Sequence, residues 1–370
     1  MIGQKSISPG KIAWRKFRSN PLSLGGSVFI LAICMVSLIG PFIRPDKTIH
    51  ANDQHLSLAR QKPGFTANFV HVIKAHQEKS SWWTTWMNGG RNNSWEGLAY
   101  EKISISRDSV IILPFNSLNN ETKIFAAHDI EIACIECGEA HKRFGFEKKF
   151  ILGTDKYGRD LLSRLMAGAF ISLAVGFIAV LISLLVGLTI GLIAGYYRGW
   201  IDNLLMWFTN VIWSIPTLIM VMAITLIFGS GFWKIFLAVG LTMWVEVARI
   251  ARGQVLGIRE KEYIEAARAL GFKESRIIFK HILPNIMGPI IVISAANFAS
   301  AILIEAGLSF MGLGAQIPTP SWGNMIKEHY SFITTDMAYL AIIPGLCIMM
   351  LVLAFMMVGS GLRDALDTRL

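Results

Sequence analysis

Charged residues are scarce in this chain. Asp, Glu, Lys and Arg make up only 16% of its 370 residues, whereas a typical soluble domain carries about 25%. Hydrophobic residues reach 53% and the mean hydropathy is +0.49. This balance excludes an ordinary soluble protein and predicts a polytopic membrane protein.

The sequence also lacks the common motifs of catalysis. It contains no G-x-x-x-x-G-K-[ST] loop for nucleotide phosphates, no H-E-x-x-H, no G-x-S-x-G and no paired-carboxylate constellation. Of its four cysteines, Cys34 and Cys347 lie in apolar runs and are read as small buried hydrophobes. Cys134-x-x-Cys137, with His141 nearby, is one half-site without a second pair, so a local disulfide or two unlinked thiols is expected. We therefore predict no metal site and no enzyme.

Six apolar stretches are long enough to cross a bilayer, for which about 20 residues suffice. They are Leu22–Ile43, Met166–Tyr196, Leu204–Phe228, Ile235–Ala248, Ile286–Ile304 and Met337–Ser360. The fourth is the shortest and ends in charged residues. The predicted fold class is all-α, with six transmembrane helices.

Basic residues orient this bundle. The first 20 residues carry five basic side chains and no acid, and the segment from Arg249 to Asn285 carries eight basic side chains. The positive-inside rule then places the N-terminus, this central segment and the C-terminus in the cytoplasm. The net charge of +10 is assigned to membrane orientation and partner docking. Nucleic-acid binding is not expected, because the basic residues flank apolar spans.

The chain divides into four parts. They are a cytoplasmic N-terminal interfacial segment (1–21), the first transmembrane helix (22–43), an extracytoplasmic insertion (44–150) and a core with five further transmembrane helices (151–370). The insertion is long enough to fold as a small domain. Alternating apolar residues in Lys102–Leu113 and Lys123–Cys134 predict strands in it.

Four tryptophans fall in the insertion without a clear period. They are Trp82, Trp83, Trp86 and Trp95. Contact with a partner or with the membrane surface is one interpretation, and burial in a small core is the one preferred here.

Small residues recur every four positions in the second span. The two runs are Gly168, Ser172 and Gly176, then Ser183, Gly187, Gly191 and Gly195. This spacing lets a neighbouring helix approach closely. Ordinary helix packing accounts for it, and a sliding surface for alternating access cannot be separated from packing at this level.

Three residues within or at the ends of the spans are unusual there. Pro216 predicts a kink in the third span, which either shapes a translocation path or is passive. Glu246 lies one helical turn from Arg249, and an ion pair between them at the membrane edge is expected rather than substrate binding. For Glu305 we expect a place at the outer membrane interface rather than in a water-filled cavity.

The segment at about 261–273 carries the most specific pattern. Strong helix formers fill Glu262 to Leu270, and Gly271 stands where a left-handed C-cap is expected. Ile264, Ala267 and Gly271 share one face. Such a slim helix can seat in a groove of a partner, with Ile264 and Leu270 as apolar anchors and Glu265 and Arg268 at the rim. Leu283-Pro284 predicts the start of the next span. The candidate coupling residues are Ile264, Glu265, Ala266, Ala267, Arg268, Gly271, Leu283 and Pro284.

This segment resembles the permease subunits of bacterial ATP-binding-cassette (ABC) importers. Their coupling-helix signature is EAA, three residues, G, nine residues, then I-x-L-P. The chain matches it at Glu265-Ala266-Ala267, Gly271 and Leu283-Pro284, and departs from it at His281, which replaces the isoleucine.

Further motifs resemble the C-type subunit of dipeptide and oligopeptide permeases. They are Leu152-Gly153-Thr154-Asp155, Gly158-Arg159-Asp160, Arg249-Ile250-Ala251-Arg252-Gly253-Gln254, the run Glu305 to Gly314, and Pro318-Thr319-Pro320-Ser321-Trp322-Gly323. Thr154 or Asp155 is expected to cap the helix of the second span. The resemblance does not cover residues 47–149, and a related nickel permease branch stays open.

The resemblance implies a type I ABC importer permease core in the bacterial inner membrane. It implies a second homologous permease subunit, two ATPase subunits and an extracytoplasmic solute-binding protein as partners. ATP and Mg would then bind to the ATPase subunits, with no cofactor on this chain. Two other classes remain as alternatives, an ion-coupled secondary transporter and a membrane-anchored enzyme using the insertion. The transporter would need inverted repeats and intramembrane ionisable residues.

Overall fold

The computed structural model describes residues 9–73, 81–92, 95–105, 109–116, 122–126, 145–229, 232–316 and 318–366. The helix α1 (Pro9–Ser19) exposes Trp14 and buries Phe17, as an interfacial helix would. The helix α2 (Pro21–Ile43) follows directly. Asn20 caps α2, because its side-chain oxygen accepts hydrogen bonds from the first turn.

The insertion contains an antiparallel sheet in the order β4-β3-β2-β1-β5. Its strands are β1 (Phe65–Ile73), β2 (Trp95–Ile105), β3 (Ser109–Pro114), β4 (Lys123–Ala126) and β5 (Gly145–Phe150). Phe69, Phe150 and Leu58 are fully buried on it. The strands predicted in Lys102–Leu113 and Lys123–Cys134 are confirmed where the structure describes these residues, by the end of β2, by β3 and by β4, while residues 127–134 lie outside the described part of the chain. The sequence pattern missed β1 and β5, and Cys134, Cys137 and His141 lie outside the described residues.

The tryptophans of the insertion are not all buried. In the short helix α3 (Trp82–Met87), the side chains of Trp82 and Trp83 are 69% and 51% exposed, so the prediction of burial is wrong for both. The buried residue of this helix is Thr85. Arg44, just after α2, donates hydrogen bonds to the carbonyl oxygens of Thr48 and Gly89. This contact holds α3 near the end of a membrane-spanning helix, a depth at which exposed aromatic rings are typical.

The remaining helices form the core of the chain. They are α4 (Leu161–Tyr197), α5 (Gly199–Trp213), α6 (Thr217–Phe228), α7 (Phe232–Arg259), α8 (Glu262–Ala269), α9 (Leu283–Met311), α10 (Trp322–His329) and α11 (Tyr339–Leu366). A helical turn at Glu274–Arg276 and a π-helix at Ile277–Ile282 lead into α9. Short 3₁₀ turns lie at Ile49–Ala51, Leu56–Leu58 and Tyr330–Phe332.

Four helices are long and apolar enough to cross a membrane within the described part of the chain, or five if a bent pair is counted as one span. They are α2, α4, the joined helix Glu274–Met311 and α11. The kink predicted at Pro216 is confirmed, because the third span is broken at residues 214–216 and α5 and α6 meet there at 89°. The predicted fourth span lies inside α7, where Lys234, Glu246 and Arg249 reduce its apolar character.

The small residues of α4 lie where other helices approach it. A Cβ added at Gly191 would come within 2.5 Å of the carbonyl oxygen of Ala248 on α7. Gly187 and Gly195 face α7 in the same way, and Gly176 faces Phe298 of α9. The packing prediction is therefore confirmed, since Gly187, Gly191 and Gly195 let the backbones of α4 and α7 come close, and Gly176 leaves room for an aromatic ring.

Neighbouring glycines in α2 give a matched test of this packing. A Cβ at Gly26 would lie 2.8 Å from the carbonyl oxygen of Ala354 on α11, whereas a Cβ at Gly25 meets nothing within 4 Å. We expect Gly26→Leu to destabilise the protein by about 1–3 kcal/mol through overpacking, and Gly25→Leu to change little. Thermal unfolding of the purified protein in detergent measures both. Equal melting temperatures for the two variants would contradict the packing of α2 on α11.

Candidate functional site

The short helix α8 presents most of its surface outward. Ile264 and Ala267 are buried, whereas its other residues, Glu262, Tyr263, Glu265, Ala266, Arg268 and Ala269, are exposed. Leu270, directly after the helix, is 73% exposed. The predicted shared face of Ile264 and Ala267 is thus confirmed, but it faces the protein's own core. Ile264 is therefore not an anchor for a partner, and Leu270 is the apolar residue available for that role.

The end of α8 is fixed by a Schellman motif. Gly271 has a φ of +73°, its N–H donates to the carbonyl oxygen of Arg268, and the N–H of Phe272 donates to that of Ala267. These two bonds satisfy carbonyl groups that the helix leaves free. The left-handed C-cap predicted at Gly271 is confirmed.

A cluster of buried aliphatic side chains ties α8 to the longer helices. Ile264 and Ala267 belong to the same cluster as Val255 of α7 and Ile282 and Ile286, which lie on either side of Leu283-Pro284. Leu283 packs against the cluster, and Pro284 is exposed in the first turn of α9. Since interiors of this kind are close-packed and resist deformation, α8 is rigidly joined to α7 and α9.

Basic residues around α8 are largely engaged within the chain. The guanidinium carbons of Arg268 and Arg259 lie 5.2 and 5.6 Å from the ring centroid of Tyr196. Arg252 donates two hydrogen bonds to Asp202, at 2.6 and 2.7 Å. The carboxylate of Glu265 is exposed and forms no ion pair with any described residue. The exposed surface of α8 and the residue after it therefore offers an apolar side chain at Leu270 and an acidic one at Glu265.

A buried charge network lies at the other end of α4. The Arg159 guanidinium donates to Asp155 at 2.5 Å and to Glu328 of α10 at 2.7 Å, and its side chain is fully buried. Arg164 lies 3.8 Å from the same Asp155 carboxylate. Arg159 also donates to Asn52, so the network joins the start of the insertion, the segment before α4 and α10. Sequence reasoning missed it because Asn52 and Glu328 are far from Arg159 in the chain.

The predicted cap of α4 is wrong. Asp160 caps the helix, since its carboxylate accepts from the N–H and hydroxyl of Ser163. Asp155 instead accepts from the N–H groups of Tyr157 and Arg159. The hydroxyl of Thr154 donates to the carbonyl of Leu58 and so binds the insertion. The cap of α4 lies six residues after Thr154 and five after Asp155.

Glu305 lies inside the protein and not at the membrane interface. Its side chain is 1% exposed, and its carboxyl oxygen accepts a hydrogen bond of 2.7 Å from the Ser309 hydroxyl. Ser321, which caps α10, donates to Ser309 at 3.2 Å. The interface prediction is therefore wrong, because α10 folds back over the end of α9 and covers this residue.

The expected ion pair between Glu246 and Arg249 is also wrong. The guanidinium carbon of Arg249 lies 4.0 Å from the ring centroid of Trp213, and Glu246 forms no ion pair among the described residues. A stack on the indole ring draws the guanidinium away from the carboxylate.

Asp155, Glu328 and His329 have potential metal-ligand atoms within 4.8 Å of one another. Both carboxylates already accept hydrogen bonds from Arg159, and Arg164 adds a second positive charge beside them. A divalent cation would have to displace a guanidinium, so the arrangement favours an ion-pair network over a metal centre.

Two family models match the chain. Residues 187–370 match the binding-protein-dependent transport system inner membrane component, and residues 8–63 match the N-terminal transmembrane domain of oligopeptide transport permease C. The dipeptide transport system permease protein DppC of Alkalihalophilus pseudofirmus is 41% identical over 67% of this chain and 81% of its own length. The glutathione transport system permease protein GsiD of Pectobacterium atrosepticum is 42% identical over 59% of this chain and 72% of its own length. A solved inward-facing methionine ABC transporter is 20% identical, covers 55% of this chain and 96% of its own, and has a TM-score of 0.46.

The charge network predicts acid-sensitive stability through His329. Burial lowers the pKa of His329, and the hydrogen bond to the Met325 carbonyl and the carboxylates of Asp155 and Glu328 oppose this only in part. A depressed folded-state pKa means that the unfolded state binds the proton first, so stability falls as the pH drops below about 6.5. We expect His329→Gln to flatten the fall in melting temperature between about pH 7 and pH 5.

The control is His281→Gln, which alters a half-buried histidine beside Phe272. It should retain the wild-type pH dependence. Equal slopes for His329→Gln and wild type would show that His329 does not carry this sensitivity.

Proposed function

Since the chain belongs to the ABC-transporter family of binding-protein-dependent inner membrane components, which includes the C-type peptide permeases, we propose that it forms half of a pore that imports di- or oligopeptides. A second homologous permease subunit completes the pore. Two ATPase subunits, which hold the ATP and Mg, bind the inner surface, and an extracytoplasmic solute-binding protein delivers the substrate. Relatives named for dipeptide and glutathione transport support a peptide substrate.

The observation that carries the mechanism is the outward surface of α8. An exposed Leu270, an exposed Glu265 and a glycine-capped end form a surface that is rigidly joined to the core. We place this surface on the cytoplasmic side, with both termini, because the basic residues between 249 and 285 require it. Movement of an ATPase subunit would push α8 and, through the shared cluster, shift α7 and α9. The ATPase drives the change only to the extent that it prefers one pore conformation.

The direct test is uptake by the whole transporter in proteoliposomes. The permease, its partner permease, the ATPase subunits and the binding protein are reconstituted together. ATP-dependent accumulation of di- to tetrapeptides is expected, with no requirement for an ion gradient. Uptake of nickel chelates alone would favour the nickel branch, and uptake driven by a proton or sodium gradient without ATP would favour a secondary transporter.

A substitution at Gly271 tests coupling. No neighbouring atom lies within 4 Å of a Cβ built there, but the φ of +73° is unfavourable for side chains, most of all β-branched ones. Gly271→Val should cost about 1–2 kcal/mol in that conformation and turn the end of α8. We expect ATP-driven uptake to fall about tenfold, the factor that corresponds to about 1.4 kcal/mol, while membrane insertion is unchanged.

Gly271→Asn is the matched control, because asparagine tolerates the left-handed conformation. It should retain most of the uptake. Unimpaired uptake in Gly271→Val, with normal coupling to ATP hydrolysis, would refute the role assigned to α8.

A further inference from the structure

Residues 214–216 interrupt the helical backbone between α5 and α6, within the apolar stretch predicted to be the third span. The two helices meet at 89°, and residues 213–216 between and beside them are exposed. Pro216 contributes no N–H, so it cannot continue the hydrogen-bond pattern of α5. Irregular backbone within a membrane occurs where it is buried in protein or lines a water-filled cavity, since lipid offers no hydrogen bonds. The exposed break therefore indicates one of these surroundings.

A cavity of about 180 Å³ lies beside this break. Its walls come from the break itself, from α7 and from α9. The polar side chains in the wall are Thr217, Thr242, Ser300 and Glu246. The Thr242 hydroxyl donates to the carbonyl of Val239, whereas Thr217 and Ser300 are exposed. The cavity thus combines free hydroxyl groups with one carboxylate.

Glu246 is the charged group of this cavity. It lies 14 residues after Phe232, where α7 begins, which is about 20 Å at 1.5 Å per residue, and three residues before Arg249, the first basic residue of the 249–285 segment. Its side chain is exposed, and it forms no ion pair among the described residues because Arg249 stacks on Trp213. An exposed carboxylate without an ion pair in the described part of the chain, in the wall of this cavity, is available to bind a cationic group.

We propose that Glu246 binds the α-ammonium group of the peptide as it passes through the pore. This inference rests on the proposed function as a peptide importer. An ammonium group is the complement of a free carboxylate, and the resulting hydrogen bonds are stronger than neutral ones. Thr217 and Ser300 hydroxyls can then contact peptide amide groups. The site selects peptides with a free amino terminus over acylated ones and makes no demand on their side chains.

The test compares uptake of a dipeptide and its N-acetylated form by proteoliposomes that contain the complete transporter. The affinity of the binding protein for each form is measured first, and the peptide concentrations are chosen so that both forms occupy it equally. The wild type should transport the free dipeptide about tenfold faster, which corresponds to about 1.4 kcal/mol. Glu246→Gln should slow the free dipeptide until the two rates are similar, and leave the acetylated one unchanged. Glu246→Asp should restore the preference.

Glu101→Gln is the control, because Glu101 is an exposed glutamate on β2 of the insertion. It should behave as wild type. If Glu246→Gln slows the uptake of both dipeptides equally, or if less of the second permease copurifies with it, Glu246 makes a structural contact and the proposal is overturned. Unchanged rates would also overturn it. If the wild type takes up no peptide at all, the proposed function itself has failed.

If the binding protein binds only free dipeptides, uptake of the acetylated form cannot be compared. The test then depends on copurification of the second permease with Glu246→Gln and on the uptake of the free dipeptide by Glu246→Asp. The proposal then requires intact assembly in Glu246→Gln, slower uptake of the free dipeptide and recovery in Glu246→Asp. Any other combination overturns it.

Discussion

The close approach of α4 and α7 is the contact on which the core depends. Hydrophobic side chains do not drive helices together in lipid, so association relies on packing between backbones. Gly187, Gly191 and Gly195 remove the side chains that would hold α4 and α7 apart. Because α7 runs almost directly into α8, this contact also fixes the position of α8 relative to α4.

The residues of α8 form a buried set that packs on the core and an exposed set that does not. Ile264 and Ala267 join it to the cluster shared by α7 and α9, and the remaining surface stays open. The Schellman motif at Gly271 ends the helix without unsatisfied carbonyl groups and turns the chain back toward that cluster. A partner that grips the open surface therefore acts on a rigid body and not on a loose loop.

The opposite end of the core is held by charge rather than by aliphatic packing. Arg159 links Asp155, Glu328 and the start of the insertion in a buried network. Removal of one partner from such a network leaves uncompensated charge, so its members depend strongly on one another. Glu305 and Ser309 form a second polar contact where α10 covers the end of α9. The insertion, α4, α9 and α10 are thereby joined at one end of the core.

The sequence alone determined the class of the protein, most of its spans and the place of α8. Apolar runs reveal spans because lipid tolerates few charges, and Gly271 reveals a helix end because it tolerates a left-handed backbone. The tertiary structure decided which way each residue faces. Ile264 turned inward, Trp82 turned outward, and Glu305 became covered by α10. These outcomes, like the network of Arg159, depend on which distant segments pack together, and local periodicity carries no information about such long-range contacts.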